Sequence, residues 1–204
     1  MTPERHSLWQ TQVAQIESGS CAEVVVAEQA QADDYCEANW KWAVLASLLT
    51  LLIMVHSPIV FHPEGLVLNT VFVGALGYLA SWRAPWLRRW MTSARRRRQQ
   101  AERSADLAFT RLEVSHTRER MGLLVLVCRF ERVALLRPDL GLTGRVPGAR
   151  WNQLQARLDA ARGWDQLEKA VSRVLEELAP LLREQAPRAE DDQNELSDQV
   201  RILC

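Results

Sequence analysis

The sequence predicts an α/β domain, a small sheet covered by helices, interrupted by a two-helix transmembrane hairpin. Three observations predict it. Two apolar runs stand in tandem between Trp42 and Trp82, where no Lys, Arg or Asp occurs and only Glu64 carries a formal charge. Short runs rich in β-branched and aliphatic residues lie on both sides of that region, near residues 22–27, 123–127 and 132–137. The segments around them carry apolar residues at helical spacing. A chain of 204 residues is long enough for a small domain and a membrane anchor. The expected organisation is a first domain part over residues 1–40, the hairpin over 41–83, a second domain part over 84–186 and an acidic tail over 187–204.

The first segment reads as helix then strand. Thr2 can cap, Pro3 suits the first helical position, and Trp9, Val13 and Ile16 recur on one face. Gly19 ends that helix. Residues 22–27 then form a short buried strand. Asp33 and Asp34 are placed to cap a helix that runs directly into the hairpin.

A spanning helix needs about 20 predominantly apolar residues. Trp42 to Val60 supplies one run, punctuated by Pro58 and Pro63, and Gly65 to Trp82 supplies the second. Gly74, Gly77, Ala75 and Ala80 permit close approach of the two helices. Trp40 and Trp42 open the first run, and Trp82, Trp86 and Trp90 close the second, as an interfacial tryptophan belt would. Arg83, Arg88, Arg89, Arg95, Arg96, Arg97 and Arg98 follow, whereas the short opposite loop has no Lys or Arg. The positive-inside rule then expects an integral inner-membrane protein with two spans and both termini in the cytoplasm. The arginines serve that topology or hold anionic lipid headgroups.

After the arginines, a helix is expected from about Ser93 to Arg118, with Ala101, Ala105, Ala108 and Leu112 on one face. Strands follow near 122–128 and 132–137, ended by the turn residues Pro138, Asp139 and Gly141. Trp151, Leu154 and Leu158 mark one further helix. Leu167, Val171, Val174, Leu175 and Leu178 mark another, which Pro180 can kink or end. The stretch from Pro187 is expected to be an extended, polar tail. A lone strand at 22–27 cannot satisfy its edges, so it is expected to pair with the strands beyond the hairpin.

Several functions are disfavoured by composition. The formal net charge is zero, so no global basic field invites nucleic acid. No Ser, His and Asp set stands at recognisable spacing, and no glycine-rich phosphate loop occurs. Cys21, Cys36, Cys128 and Cys204 are not at metal-ligand spacing and read as free structural thiols.

Four stretches resemble the TPM-domain family, in its predicted integral membrane branch. Glu17 precedes Ala22-Glu23-Val24-Val25-Val26, as a glutamate and then an acid lead a valine-rich strand in the family. Thr117-Arg118-Glu119-Arg120-Met121-Gly122 resembles a T-R-E-R-T-G motif, with methionine at the usual threonine. Glu131-Arg132-Val133 and Asp139-Leu140-Gly141-Leu142 resemble E-R-x-V and D-x-G-I. Asp191-Asp192-Gln193-Asn194-Glu195-Leu196 resembles D-D-R-N-E-L. The resemblance implies a TPM-like sandwich. It also implies one of two roles: assembly or maintenance of membrane complexes, or phosphatase activity with divalent metal held near strand ends.

Two functions are therefore expected. The first is a membrane-anchored binding or assembly module whose partners are the bilayer and a membrane protein. The second is a phosphoester hydrolase dependent on Ca²⁺ or Mg²⁺, because clustered carboxylates hold hard cations that polarise phosphate and activate water. Its candidate metal ligands are Glu23, Glu131 and Asp139, with Asp139 as the candidate catalytic residue. Asp191, Asp192, Asn194 and Glu195 in the tail can add oxygen ligands.

Overall fold

The computed structural model describes residues 3–117, 119–188 and 200–203. In chain order the elements are α1 (Pro3–Glu17), β1 (Glu23–Gln29), α2 (Cys36–His56), α3 (Pro63–Arg83), α4 (Pro85–Met91), α5 (Ala94–Arg111), β2 (Gly122–Cys128), β3 (Val133–Pro138), α6 (Leu140–Arg145), α7 (Gly148–Asp159), α8 (Trp164–Gln185) and β4 (Arg201–Leu203). They form two compact units, one of Met1–Ala32 with Arg98–Cys204, the other Asp33–Arg97. The second unit begins before and ends after the expected hairpin at 41–83. The first hairpin helix starts at Cys36, and α4 packs with the hairpin helices.

The first unit is an α/β domain around a four-stranded sheet of order β3-β2-β1-β4. β1 pairs in parallel with β2 from Glu23↔Gly122 to Gln29↔Cys128, so the strands on either side of the hairpin do meet. β2 pairs antiparallel with β3 through the turn at residues 129–132. All seven residues of β2 are buried, as a central strand covered on both faces requires. Alternation separates two cores. Val24, Val26, Leu123, Val125 and Val127 pack with Trp9, Val13, Ile16, Trp151, Leu154 and the inner face of α8. Val25, Ala27, Leu124, Leu126 and Cys128 pack with Ala101, Ala105 and Ala108 of α5. The alanine stripe on α5 lets that helix lie close to the sheet.

Further expectations change. The helix expected to reach Arg118 ends at Arg111. Glu113 takes a left-handed conformation (φ 54°), its N–H bonds to Thr110 O, and the Val114 N–H reaches back to Phe109 O. This C-capping turn normally carries glycine, so a glutamate there gives no sequence signal. The N-cap of α2 is Tyr35 (φ 49°), without a side-chain capping bond, rather than Asp33 or Asp34. The tail is not wholly extended coil, because residues 201–203 form β4, which adds in parallel to β1. Pro180 does not end α8, which continues to Gln185. The proline is on the solvent side, while Leu178 and Leu182 keep the buried stripe in phase. Thr2, Arg118 and the tail candidates Asp191, Asp192, Asn194 and Glu195 lie outside the described residues.

The second unit is the helical hairpin with α4 and the start of α5. α2 and α3 are long and apolar enough to cross a membrane, and only 17% and 11% of their most apolar stretches are buried. A helix at the core of a water-soluble domain would be mostly buried. The first helix stops at His56 rather than Val60, because Pro58 forces Ser57 into an extended conformation (φ −70°, ψ 141°). The helices meet through small residues. A Cβ on Gly77 would lie 2.9 Å from Ala46 Cβ and 3.0 Å from Trp42 O. Two polar bonds cross the interface, Ser81 Oγ to Asn39 Oδ1 at 2.9 Å and Ser47 Oγ to Thr70 O at 3.1 Å.

Candidate functional site

In the α/β unit, the candidate carboxylates divide between opposite ends of the sheet. Glu23 opens β1 beside Gly122, and Asp139 follows β3 with its N–H bonded to Gly122 O. Both therefore flank the same end of β2, about two strand spacings apart, on the order of 10 Å. Glu131 sits in the β2–β3 turn at the other end, six residues along β1, on the order of 20 Å away. The three expected metal ligands are not brought together. Among the described residues, no three His, Cys, Asp or Glu side chains are grouped to hold a metal ion.

Three of the motif acids, Glu17, Glu131 and Asp139, are instead bonded to the chain's own backbone. Glu17 Oε1 accepts the Val24 N–H at 2.9 Å and so anchors the start of β1 to the end of α1. Glu131 Oε1 accepts the Ala32 N–H at 3.0 Å and fixes the loop that leaves β1. Asp139 is the N-cap of α6, where its Oδ1 accepts the Leu140 N–H at 2.7 Å. Arg120 closes a fork on the same carboxylate, Nε to Oδ2 at 3.0 Å and Nη2 to Oδ1 at 3.2 Å. This bonding raises the Arg120 guanidinium above its usual range.

The motifs around Arg120 and Asp139 interlock. Arg120 is left-handed (φ 57°), and its carbonyl accepts the Gly141 N–H at 2.9 Å. Thr117 Oγ1 accepts the Met121 N–H at 2.9 Å. Gly122 must lack a side chain, because a Cβ there would meet Val114 O and lie 2.7 Å from Val114 Cγ1. The stretches around Thr117–Gly122 and Asp139–Leu142 thus build one crossing of backbone at the end of β2. A further acid is buried on β1 beyond the expected candidates. Glu28, near the end of β1, bonds His6 Nε2 at 3.0 Å and Arg129 Nε at 3.4 Å. A glutamate inside an otherwise apolar strand was the available signal. In the middle of α1, Trp9 is fixed by donating from Nε1 to Ser172 Oγ at 3.0 Å.

The second locus lies wholly within the hairpin unit. The chain bends at Ala84 (φ −113°, ψ 94°) ahead of Pro85, and α4 folds back toward the base of the hairpin. Trp42 donates its indole N–H to Leu87 O at 3.0 Å and stacks on Trp90, with ring centroids 5.6 Å apart. A groove of about 640 Å³ results, lined by Trp42, Trp86, Leu87, Arg89, Trp90, Thr92, Ala94 and Arg97. Arg97 Nη1 donates to Arg89 O at 2.9 Å and to Thr92 O. The arginine block is therefore not uniform. Arg96 pairs with Glu37 at 2.8 Å. Arg98 pairs with Asp159 at 2.7 Å and Glu102 at 3.0 Å, and bonding to Asp159 raises its pKa. Arg88 reaches Asp34 O at 3.4 Å, and Arg83 and Arg95 are exposed.

No protein-family model matches the sequence, and no curated protein matches it. The fold does have a solved likeness. The chain is similar to the BA42 protein of the psychrophilic bacterium Bizionia argentinensis, solved by NMR. The TM-score is 0.59 over 99% of this chain and 94% of that one, at 12% sequence identity. At that identity the likeness concerns the fold alone.

Proposed function

We propose that the chain is a TPM-like α/β domain anchored in the inner membrane by α2 and α3, with both termini cytoplasmic. It acts as a binding or assembly module that maintains membrane complexes, with the bilayer and a membrane protein as partners. The carrying observation is the bare apolar surface of the hairpin. Leu48, Leu49, Leu52, Ile53 and Val55 on α2, and Val67, Leu68, Val71 and Phe72 on α3, are exposed. Water would penalise that surface by roughly 25 cal/mol per Å², and hydrocarbon would not. The two-span arrangement also leaves both halves of the split domain on the same side.

A module rather than a hydrolase is supported by the bonding of Glu17, Glu131 and Asp139 to backbone amides. A phosphatase dependent on Ca²⁺ or Mg²⁺ would need Asp139 released from Arg120 and a further acid brought from elsewhere. Two experiments test the proposal on the full chain. The protein should resist alkaline carbonate extraction from membranes. In a cysteine-free background, Val60→Cys should react with an impermeant maleimide in intact cells, and Gly148→Cys only after permeabilisation. Release by carbonate, or the inverse labelling, would reject the anchor. Turnover of a generic phosphoester that requires Mg²⁺ or Ca²⁺ and is lost in Asp139→Ala protein of native fold would replace the module with the hydrolase.

A further inference from the structure

We propose that one face of α3 is a self-association surface on which a second copy of this chain docks within the membrane, through paired Asn69 amides. That role rests on the membrane reading of α2 and α3 and deepens it, because it names a membrane-protein partner for the hairpin.

A polar side chain stands where hydrocarbon is expected. Among the described residues, the exposed positions of α2 and α3 between Trp42 and Trp82 are apolar apart from His56, Glu64 and Asn69. His56 ends α2 and Glu64 is the second residue of α3, so both stand at the far helix ends. Asn69 does not. At about 1.5 Å per residue it lies about 9 Å into α3 and about 20 Å from Trp82, within a hydrocarbon core about 30 Å thick. Its Nδ2 donates to Gly65 O at 2.9 Å. That bond engages one amide hydrogen; among the described residues the other hydrogen and Oδ1 take no bond. Lipid tails offer none, so an amide at this depth is driven toward another protein.

The neighbours of Asn69 identify the partner. Phe72, Leu76 and Leu79 follow at alternating spacings of three and four residues and are 62%, 47% and 52% exposed. With Asn69 they form a seam of the kind along which a second helix packs. The seam lies off the face of α3 that meets α2, which is built from Gly74, Gly77 and Ser81. Association there leaves the hairpin intact. A second copy fits for two reasons. It enters the membrane in the same orientation, so a two-fold axis along the membrane normal sets identical residues at equal depth. A primary amide is also self-complementary, being both donor and acceptor. Asn69 and Asn69 of the second copy can therefore exchange two N–H···O bonds. A register slipped by one heptad would set an amide against Leu76, so the polar pair also fixes the register.

The test uses the full chain, dye-labelled at Gly148→Cys in a cysteine-free background and reconstituted into phosphatidylcholine vesicles. Energy transfer between donor- and acceptor-labelled copies should exceed random proximity and fall as lipid dilutes the protein. Asn69→Leu keeps the side chain's size and removes the amide; it should weaken the dimer by about three- to tenfold. Val67→Ala, two residues away and so on the opposite flank of the helix, should change it by less than about twofold. In unlabelled cysteine-free protein, Leu76→Cys should form an intermolecular disulfide in oxidised membranes and Val67→Cys should not. Wild-type protein that is inserted but monomeric would overturn the seam, whatever other protein it binds. Equal effects of Asn69→Leu and Val67→Ala, or crosslinking at Val67→Cys but not at Leu76→Cys, would overturn it too. If Asn69→Leu does not fold, Phe72→Ala decides, since its side chain is exposed in the hairpin: an unchanged dimer overturns the seam. Release of the wild type from the vesicles by alkaline carbonate would reject the anchor and the seam together, whereas an inserted monomer would reject the seam alone.

Discussion

Replacing Asp139 with alanine separates a structural acid from a catalytic one. The carboxylate is 4% exposed, caps α6 through the Leu140 N–H and receives the Arg120 fork. Losing an N-cap acid costs about 1 kcal/mol, with a range of roughly 0.5–2. Removing the side chain also leaves a small void between α6 and the Arg120 turn, which brings the expected loss to about 1–2 kcal/mol. For a domain of this size each kcal/mol lowers the thermal midpoint by about 2–4 °C, so a fall of roughly 3–6 °C is expected. Asparagine caps as well as aspartate. It loses only the charge of the Arg120 pair, in which the arginine is half-exposed and screened by water. Asp139→Asn should therefore fall by less than half as much as Asp139→Ala. The assay is tryptophan-fluorescence melting of the full chain in one detergent, run for wild type and both variants. An unchanged midpoint in Asp139→Ala, or equal falls in Ala and Asn, would refute the capping role.

Gly122→Ala should destabilise by about 3 kcal/mol or more. The new methyl meets Val114, whose position is fixed by its bond to Phe109 O; low folded yield and rapid proteolysis would check it. The hairpin predicts that Ser47→Cys and Gly74→Cys form a disulfide in oxidised membranes. A Cβ on Gly74 lies 3.7 Å from Ser47 Cβ, within the usual spacing of about 3.5–4.5 Å. Adding Gly77→Leu, which drives a side chain into Ala46 and Trp42 O, should abolish the crosslink on a non-reducing gel. Burial raises the Cys128 thiol far above its usual value. In the unfolded chain the thiol ionises near pH 8.5, while in the folded domain it stays protonated. Its contribution to stability is thus complete below about pH 8.5 and falls by up to about 1.4 kcal/mol per unit above it. Denaturant midpoints for wild type and Cys128→Val between neutral and alkaline pH should diverge in that direction, wild type losing more.

Much of the fold was legible because local patterns and global packing agreed. The alanine stripe Ala101, Ala105, Ala108 and the apolar stripe of α8 are buried where their spacing puts them. The pairing of β1 with β2 across the hairpin followed from the impossibility of leaving a lone strand with open edges. β4 was not legible, since Arg201 to Leu203 is short, mostly exposed and gains its conformation only by pairing with β1. The left-handed residues Tyr35, Glu113, Arg120 and Arg132 were also hidden, because none is glycine and each is held by its neighbours rather than by intrinsic preference.

The candidate sites divide in the same way. Composition by itself determined the hairpin, its tryptophan belt and its arginine flank, because hydrophobicity and charge are properties of residues counted along the chain. The positions of acids near expected strand ends also picked out Glu23, Glu131 and Asp139 as candidate ligands. Only the tertiary structure decided which of them lie together. Whether carboxylates share a cation or serve separate backbone amides depends on distances between strand ends, and strand direction sets those distances. With β1 and β2 parallel, Glu131 is carried to the end of the sheet opposite Glu23 and Asp139. The same holds for the groove at the base of the hairpin. Its arginines were countable in the sequence, but their convergence with Trp42 and Trp90 required the bend at Pro85 and one indole hydrogen bond.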